Sequence, residues 1–222
     1  MKELHKEKKM PKATARRLPL YLRYLKMLGD SGVTRIKSKE FSDVIQVPPA
    51  TIRRDFSHLG ELGRSGYGYD VPYLIDVFSH ILNTQEEKRI ALIGCGNLGK
   101  ALVKNNFRRN ENLNIVCAFD IEDELVGLSI DDIIIQPMEN LAEEIKKSGV
   151  TVAISTVPSQ FAQEAIDKIV DAGITAILNF APDRVTVPHD VNVQYIDLTT
   201  ELQTLIYFLH NDDLVETEEK EN

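Results

Sequence analysis

No stretch of this 222-residue chain approaches the roughly 18 to 20 consecutive apolar residues that a helix needs to span a bilayer. The start, MKELHKEKKMPKATARR, is basic and polar and runs into no hydrophobic signal region. A membrane-bound or secreted protein is therefore not expected, and the expected setting is the cytoplasm. Cysteine is scarce: Cys95 and Cys117 both lie in apolar, strand-like contexts, and neither has a partner at a metal-ligand spacing. That leaves neither a disulfide framework nor a zinc site. Both are read as reduced structural thiols, and no metal is expected.

The formal net charge of −8 conceals a division between halves. Residues 1–84 carry 15 Lys and Arg against 9 Asp and Glu, whereas residues 85–222 carry 11 against 25. Such asymmetry points to a polyanion that meets only the N-terminal half. The competing reading is a lysine-rich leader, since five of the cations fall within the first 12 residues. A chain of this length with 43% hydrophobic content can bury one medium core and one smaller core, so two domains are expected.

From Thr14, apolar residues at Leu18, Tyr21, Leu22, Leu25 and Leu28 keep the spacing of an amphipathic helix, ended by Gly29. A second short helix begins behind Ser38 in SKEFSDVI. A third lies in VPPATIRRDFSHLG, with Pro48 and Pro49 suited to its first turn and Gly60 to its end. Ile52, Phe56 and Leu59 share one face of that helix, so Arg53, Arg54 and Ser57 point elsewhere. Glycines at 60, 63, 66 and 68 then predict a tight hairpin in GELGRSGYGYDV. Three short helices and a Gly-rich hairpin are the order of a winged helix, in which the last helix enters the major groove and the hairpin lies along the backbone or minor groove. A small helical cap with two exposed arginines fits the same pattern equally well. A connecting helix over 71–82 and the polar linker NTQEEK at 83–88 close the domain.

Beyond the linker the period changes. Apolar runs at 89–93, 114–119, 133–135, 151–155, 174–178 and 192–196 alternate with helical patterns near 97–105, 138–147 and 159–172, as in a parallel sheet covered on both faces. A last helix, TTELQTLIYFLHN, sets Leu198, Leu202, Leu205, Ile206 and Leu209 on one stripe. It follows the final strand, so the stripe asks for a partner from another chain. The tail DDLVETEEKEN is acidic and expected to be disordered.

Gly94, Gly96 and Gly99 follow the first of these strands directly and lead into a helix. Gly94 permits a tight turn, Gly96 lets the main chain approach a pyrophosphate, and Gly99 lets helix and strand pack closely; the phosphates then sit on free N–H groups at the helix start. Asp120 ends the next strand, 21 residues beyond Gly99, where a carboxylate accepts ribose hydroxyls and repels the extra phosphate of NADP. The predicted ligand is NAD(H).

Chemistry on that ligand is not expected. None of the seven tyrosines has a lysine four residues later, which removes the Tyr–Lys pair of short-chain dehydrogenases. Of the five histidines only His189 falls where a cofactor is expected, with no carboxylate relay beyond Asp190. No second domain for a substrate follows the last strand. A cofactor pocket without room for substrate points to sensing, while a short NAD-dependent oxidoreductase and a CoA-binding module of the ligase type share the glycine loop and stay open as alternatives.

Taken together, ATIRRDFSHLG, GYGYDVPYL, IGCGNLGKAL, ISTVPSQFAQEAIDKIVDAGITAILNFAP and VPHDVNVQYIDLTTELQTLIYFL closely resemble the Rex family of redox-sensing transcriptional repressors, over about residues 13–211. The resemblance implies an α/β chain with an N-terminal winged-helix DNA-binding domain, a Rossmann-fold NAD(H)-binding domain and a C-terminal domain-swapped helix that joins a homodimer. The expected boundaries are a disordered basic leader over 1–12, the winged helix with its connecting helix over 13–82, the Rossmann domain over 83–197, the swapped helix over 198–211 and the disordered tail over 212–222. Pseudo-palindromic operator DNA would be bound when NAD⁺ predominates and released when NADH accumulates.

The same resemblance assigns DNA contact to Thr51, Arg53, Arg54 and Ser57 of the third helix and to Arg64 and Tyr67 of the hairpin. It assigns the cofactor to the loop Gly94, Cys95, Gly96, Asn97, Leu98 and Gly99, to Asp120, and to Thr156, Val157 and Pro158 after the fourth strand. Asn179, Phe180, Ala181 and Pro182 would lie near the nicotinamide. Arg23 and Asp197 match a pair that couples the two domains in some members, and Asn105 stands where several have a tyrosine in that switch. Two further departures are Arg64–Ser65 at the hairpin tip, where a cation commonly just precedes the glycine, and Leu198 in place of a bulkier aromatic. No catalytic residue is implied.

Overall fold

The computed structural model describes residues 10–64, 66–106 and 112–211, with the side chains of Arg64, Asn105, Asn106, His210 and Asn211 left aside. Most of the basic leader, Ser65 of the hairpin tip and the tail over 212–222 therefore lie outside the described residues. Two compact units, Met1–Glu86 and Glu87–Asn222, divide the chain within the polar stretch 83–88.

The first unit runs α1 (Lys12–Asp30), β1 (Arg35–Ile36), α2 (Ser38–Ile45), α3 (Pro49–Ser57), β2 (Gly63–Arg64), β3 (Gly68–Asp70) and α4 (Val71–Ile81). Ser38 is the first helical residue of α2, and the cap position falls to Lys37, whose N–H donates to the Glu40 carboxylate at 2.9 Å. Helix α3 starts on Pro49 as expected but stops at Ser57; Gly60 takes a φ of 101° in the turn beyond it, a conformation glycine adopts freely. Strands β2 and β3 form the expected antiparallel hairpin, Gly63 opposite Tyr69 and Arg64 opposite Gly68, and β1 adds to the other edge of β3.

The apolar spacing read from α1 does what it implies: Leu18, Tyr21, Leu22 and Leu25 are buried. Around them Tyr21, Phe41, Phe56 and Phe78 stack in the middle of the unit, with Tyr21–Phe56 edge to face at 5.7 Å and Phe56–Phe78 at 5.4 Å. Phe56 also meets Tyr69 edge to face at 4.8 Å, which fastens α3 to the hairpin. Each such pair adds about 0.5–1.5 kcal/mol beyond the area it buries.

One charge is buried within this core. The Asp55 carboxylate of α3 accepts hydrogen bonds from Thr14 Oγ1 at 2.8 Å, Tyr21 Oη at 2.6 Å, and Arg17 Nε and Nη2 at 2.6 and 2.8 Å, all three donors on α1. Burial pushes the Asp55 carboxyl up, but the bonds from Arg17, Tyr21 and Thr14 outweigh it and hold it below the ordinary carboxylate value. The same contacts raise the Arg17 guanidinium, while burial and then Asp55 raise the Tyr21 phenol.

The second unit runs β4 (Lys88–Ile93), α5 (Asn97–Ala101), β5 (Leu113–Asp120), β6 (Ser129–Ile130), β7 (Ile133–Pro137), α6 (Leu141–Ser148), β8 (Val152–Ser155), α7 (Ser159–Asp171), β9 (Ala176–Asn179), β10 (Asn192–Tyr195) and α8 (Leu198–Asn211). The sheet order is β10-β9-β8-β4-β5-β7-β6, parallel except for β6, which turns back on β7. Ile166, Ile169, Leu141 and Ile145 of α6 and α7 pack on one face of the sheet, and Leu102 lies against Ile90, Leu92 and Ile154 on the other.

Two expectations for this unit are corrected. The helix over 97–105 is α5 followed by a π-turn at Leu102–Asn106, whose wider winding still delivers Leu102 to the core. The strand over 174–178 is β9 over Ala176–Asn179: Ile174 is buried in the preceding turn, so the apolar run merges an anchor with a strand. Helix α8 has the expected stripe, and it is exposed, with Leu205 at 65% and Leu209 at 74%.

Candidate nucleotide site and nucleic-acid interface

The chain leaves β4 for β5 on one side and, later, places β8 on the other, so a crevice opens at the carboxyl ends of these strands. Gly94 turns the chain there with a φ of 90°. A Cβ on Gly99 would lie 2.2 Å from the Gly94 carbonyl oxygen, so only glycine lets the α5 turn sit this close to the strand. A Cβ on Gly96 would meet nothing within 4 Å; here the main chain faces open space. From the neighbouring strand Thr156 braces the turn, its N–H donating to Ile93 O at 2.8 Å and its hydroxyl to Gly94 O at 2.7 Å.

Asp120, buried at the end of β5, accepts the Cys95 N–H at 2.5 Å on one carboxylate oxygen and the Ile121 and Glu122 N–H groups at 2.8 and 3.0 Å on the other. It is thus a strand-end turn residue and a tie between the glycine loop and β5 at once. A cavity of about 290 Å³ lies in front of it, and six of the predicted cofactor residues border it: Gly94, Gly96, Asp120, Thr156, Val157 and Pro158.

The other predicted cofactor residues do not border that cavity. Cys95 and Gly99 are buried beneath the loop, and Asn97 and Leu98 are exposed on it. Asn179 is fully buried and closes on Ala181, donating to its carbonyl and accepting from its N–H, both at 3.3 Å. Phe180 packs against the Leu92 and Ile154 face, with its N–H on Ser155 O at 3.0 Å, and Pro182 is exposed.

Conversely, Ile121, Leu125, Met138 and Phe161 line the cavity and were missed in the sequence. One signal was present: Ile121 stands directly after the strand-end acid, and it is 59% exposed despite its size. The hydroxyl of Ser155, buried at the end of β8, has no partner among the described residues.

Burial above all, with Asp120 adding to it, pushes the Cys95 thiol up to about 12, and burial with Glu144 does the same for Cys117. His189 is exposed in its loop.

On the first unit, Arg53, Arg54 and Ser57 project from α3 into solvent and Thr51 is half-buried. Arg53 Nη1 donates to Ser38 Oγ at 3.2 Å, and the Ser57 hydroxyl donates to Arg54 O at 2.6 Å. Tyr67 of the hairpin is 70% exposed with the Arg35 guanidinium 4.9 Å from its ring centre. The backbone of Arg64 is in β2, while its side chain and that of Asn105 lie outside the described residues. Arg23 is exposed over Tyr24 at 5.3 Å. Asp197 caps α8, accepting from Thr199 N at 2.9 Å, Thr200 N at 3.2 Å and Thr200 Oγ1 at 2.6 Å.

These features define a class: one chain carrying a helical unit with a basic third helix and hairpin, and an α/β unit with a dinucleotide-type glycine crevice. Family models agree, the "Putative DNA-binding protein N-terminus" matching residues 9–57 and the "CoA binding domain" matching residues 85–183, the latter less than half of the chain. Redox-sensing transcriptional repressor Rex 2 of Enterococcus faecalis is 79% identical over 91% of this chain and 94% of its own length. Among solved structures, RSP, a Rex-family repressor, in complex with β-NAD⁺ and operator DNA matches with a TM-score of 0.84 at 35% identity, covering 94% of this chain and 96% of that one. RSP in complex with β-NADH matches at 0.83 and 33%, covering 94% and 98%. The chain belongs to the Rex family of redox-sensing transcriptional repressors. The relatives it matches are named as transcriptional repressors.

Proposed function

We propose that the chain is an NAD(H)-responsive repressor: a cytoplasmic homodimer that binds palindromic operator DNA and releases it when NADH binds. The observation that carries this reading is the crevice at the end of β4, forced open by Gly94, Gly96 and Gly99, on the same chain as the exposed Arg53–Arg54 pair. A carboxylate offers about four lone-pair positions. Three of those on Asp120 accept main-chain N–H groups, which leaves one for a ribose hydroxyl. Ile121, Leu125 and Phe161 supply the apolar walls that an adenine ring needs. That a family member a third identical was crystallised with β-NADH, and with β-NAD⁺ and operator DNA, supports the same reading.

Bound nicotinamide brings a ring whose positive charge is lost on reduction. Asn179, Phe180, Ala181 and Pro182 are assigned to that end, where the apolar Phe180 ring favours the neutral form. Helix α8 is assigned to exchange between subunits, its exposed leucines supporting the need for a partner. Thr51, Arg53, Arg54, Ser57, Arg64 and Tyr67 face the DNA. Arg23 and Asp197 couple the two domains, and Asn105 takes the place of their third member. Paired recognition helices fit a palindrome only about 34 to 36 Å apart, so a change in dimer angle driven by the reduced ring removes the fit.

A gel-shift titration of a palindromic promoter fragment tests this. Saturating NADH is expected to displace the protein while NAD⁺ leaves it bound; equal retention with both would refute the reading. Greater thermal stabilisation by CoA than by NADH would favour a CoA-binding module instead.

A further inference from the structure

Beside the assigned DNA residues lies an open hollow of about 530 Å³, enclosed by the start of α2, by α3 and by the β2–β3 hairpin. Three cations border it, Lys37 and Lys39 flanking Ser38, and Arg53 opposite them; among the described residues no carboxylate lines it. Glu40, the nearest acid in sequence, is drawn back onto the Lys37 N–H and forms no part of the wall. Lys37 and Lys39 are exposed, and among the described residues neither is in an ion pair. Three like charges brought together without a counter-charge repel one another, an arrangement that becomes favourable when an anion lies among them.

The hairpin side of the hollow is made of Gly63, Gly66, Gly68 and Tyr69. Packing requires two of the glycines: a Cβ on Gly63 would come within 2.6 Å of the Tyr69 ring, and one on Gly68 within 2.8 Å of the Ile36 carbonyl oxygen. The consequence is a wall that carries, among the described residues, no side chain but the Tyr69 ring, along which a bulky anion can lie close to main chain. Arg53, meanwhile, is held by Ser38 Oγ at 3.2 Å, which aims its guanidinium across the hollow toward the start of α2.

We propose that this hollow is a phosphate channel: Lys37, Lys39 and Arg53 neutralise phosphates of one DNA strand where it passes between α3 and the hairpin. The inference rests on the DNA-binding reading given above and adds to it two lysines that precede or begin a helix and carry no motif of their own. It also gives Arg53 a role in positioning the duplex, leaving base reading to its neighbours on α3.

The test uses the full-length protein, its operator duplex and a random duplex of equal length, with fluorescence anisotropy titrations over a series of salt concentrations. For Lys37→Gln with Lys39→Gln, which removes about four contacts from a homodimer on one duplex, the log–log salt slope is expected to fall in magnitude by about 3.6, from about 0.9 per lost phosphate contact, with affinity near 0.1 M salt down roughly tenfold per lost contact on both duplexes alike. Arg53→Gln is expected to weaken both duplexes equally as well. An unchanged melting temperature for each variant establishes that the fold is intact, and NADH affinity of the free protein is expected to be unaltered. A salt slope that stays as in the unmodified chain, or a loss confined to the operator, would overturn the channel. Failure of the unmodified protein to bind either duplex would overturn both the channel and the functional reading on which it rests.

Discussion

Polar groups are buried in both units, but in different settings. In the N-terminal unit Asp55 sits among stacked aromatic rings and is satisfied by three side chains of another helix. In the C-terminal unit Asp120, Ser155 and Asn179 all stand at the carboxyl ends of strands, and the sheet core beneath them is mostly aliphatic, with Phe119 its one fully buried ring among the described residues. Ring stacking tolerates many geometries, so helix α3, which carries Arg53 and Arg54, gains direction from a forked carboxylate–guanidinium bond. A sheet already has its register set by the strand ladder, and its buried polar groups gather at the strand ends, where Asp120 borders the crevice. The polar residue fixes the helix in one case and the ligand edge in the other.

Breaking the first half of this comparison should have the largest effect. Asp55→Ala strands the Arg17 guanidinium and is expected to cost about 3–5 kcal/mol, confined to the N-terminal unit, as read by urea unfolding with hydrogen exchange to locate the loss. The pair Arg17→Met with Asp55→Leu should recover most of it, yet discriminate operator from random DNA less well. A loss under 1 kcal/mol for the single change would remove the clamp from the account.

In the second unit, Gly99→Ala forces a Cβ against the Gly94 carbonyl and is expected to cost about 1–3 kcal/mol with loss of NADH binding. Gly96→Ala, with nothing near its Cβ, should leave stability unchanged and still weaken NADH. Calorimetry separates the two, and equal behaviour would contradict the distinct roles given to them.

Leu205→Lys with Leu209→Lys on the exposed stripe of α8 should halve the mass seen in sedimentation. The unfolding free energy of the separated chain should change by no more than about 0.5 kcal/mol.

The smallest effect concerns pH. Because Asp55 is held below the ordinary carboxylate value, its contribution to stability is present above about pH 4 and lost as pH falls further, since the unfolded chain then binds the proton more readily. The urea midpoint of the N-terminal unit should fall on that acid side, and the fall should flatten in Asp55→Asn.

Much of this was legible in the residues themselves. The α1 stripe, the β-branched runs of β4, β5 and β8, and the glycine loop after β4 each rest on local periodicity or a required backbone shape, and these carry over to structure directly. Strands β1 and β6, two residues each, are too short to show a period. Asp55 reads as one more charge beside Arg53 and Arg54, because its partners lie 34 to 41 residues away. The walls Met138 and Phe161 and the cations Lys37 and Lys39 escape for the same reason: what brings them to a site is tertiary packing, which leaves no local mark.

The account rests on opposition between the crevice and the DNA-reading surface, and linkage makes that opposition reciprocal. The most direct measurement is the NADH affinity of the protein, free and saturated with operator, set beside the operator affinity with and without NADH. Both affinities are expected to fall, and by the same factor. An NADH affinity indifferent to bound operator would contradict the account.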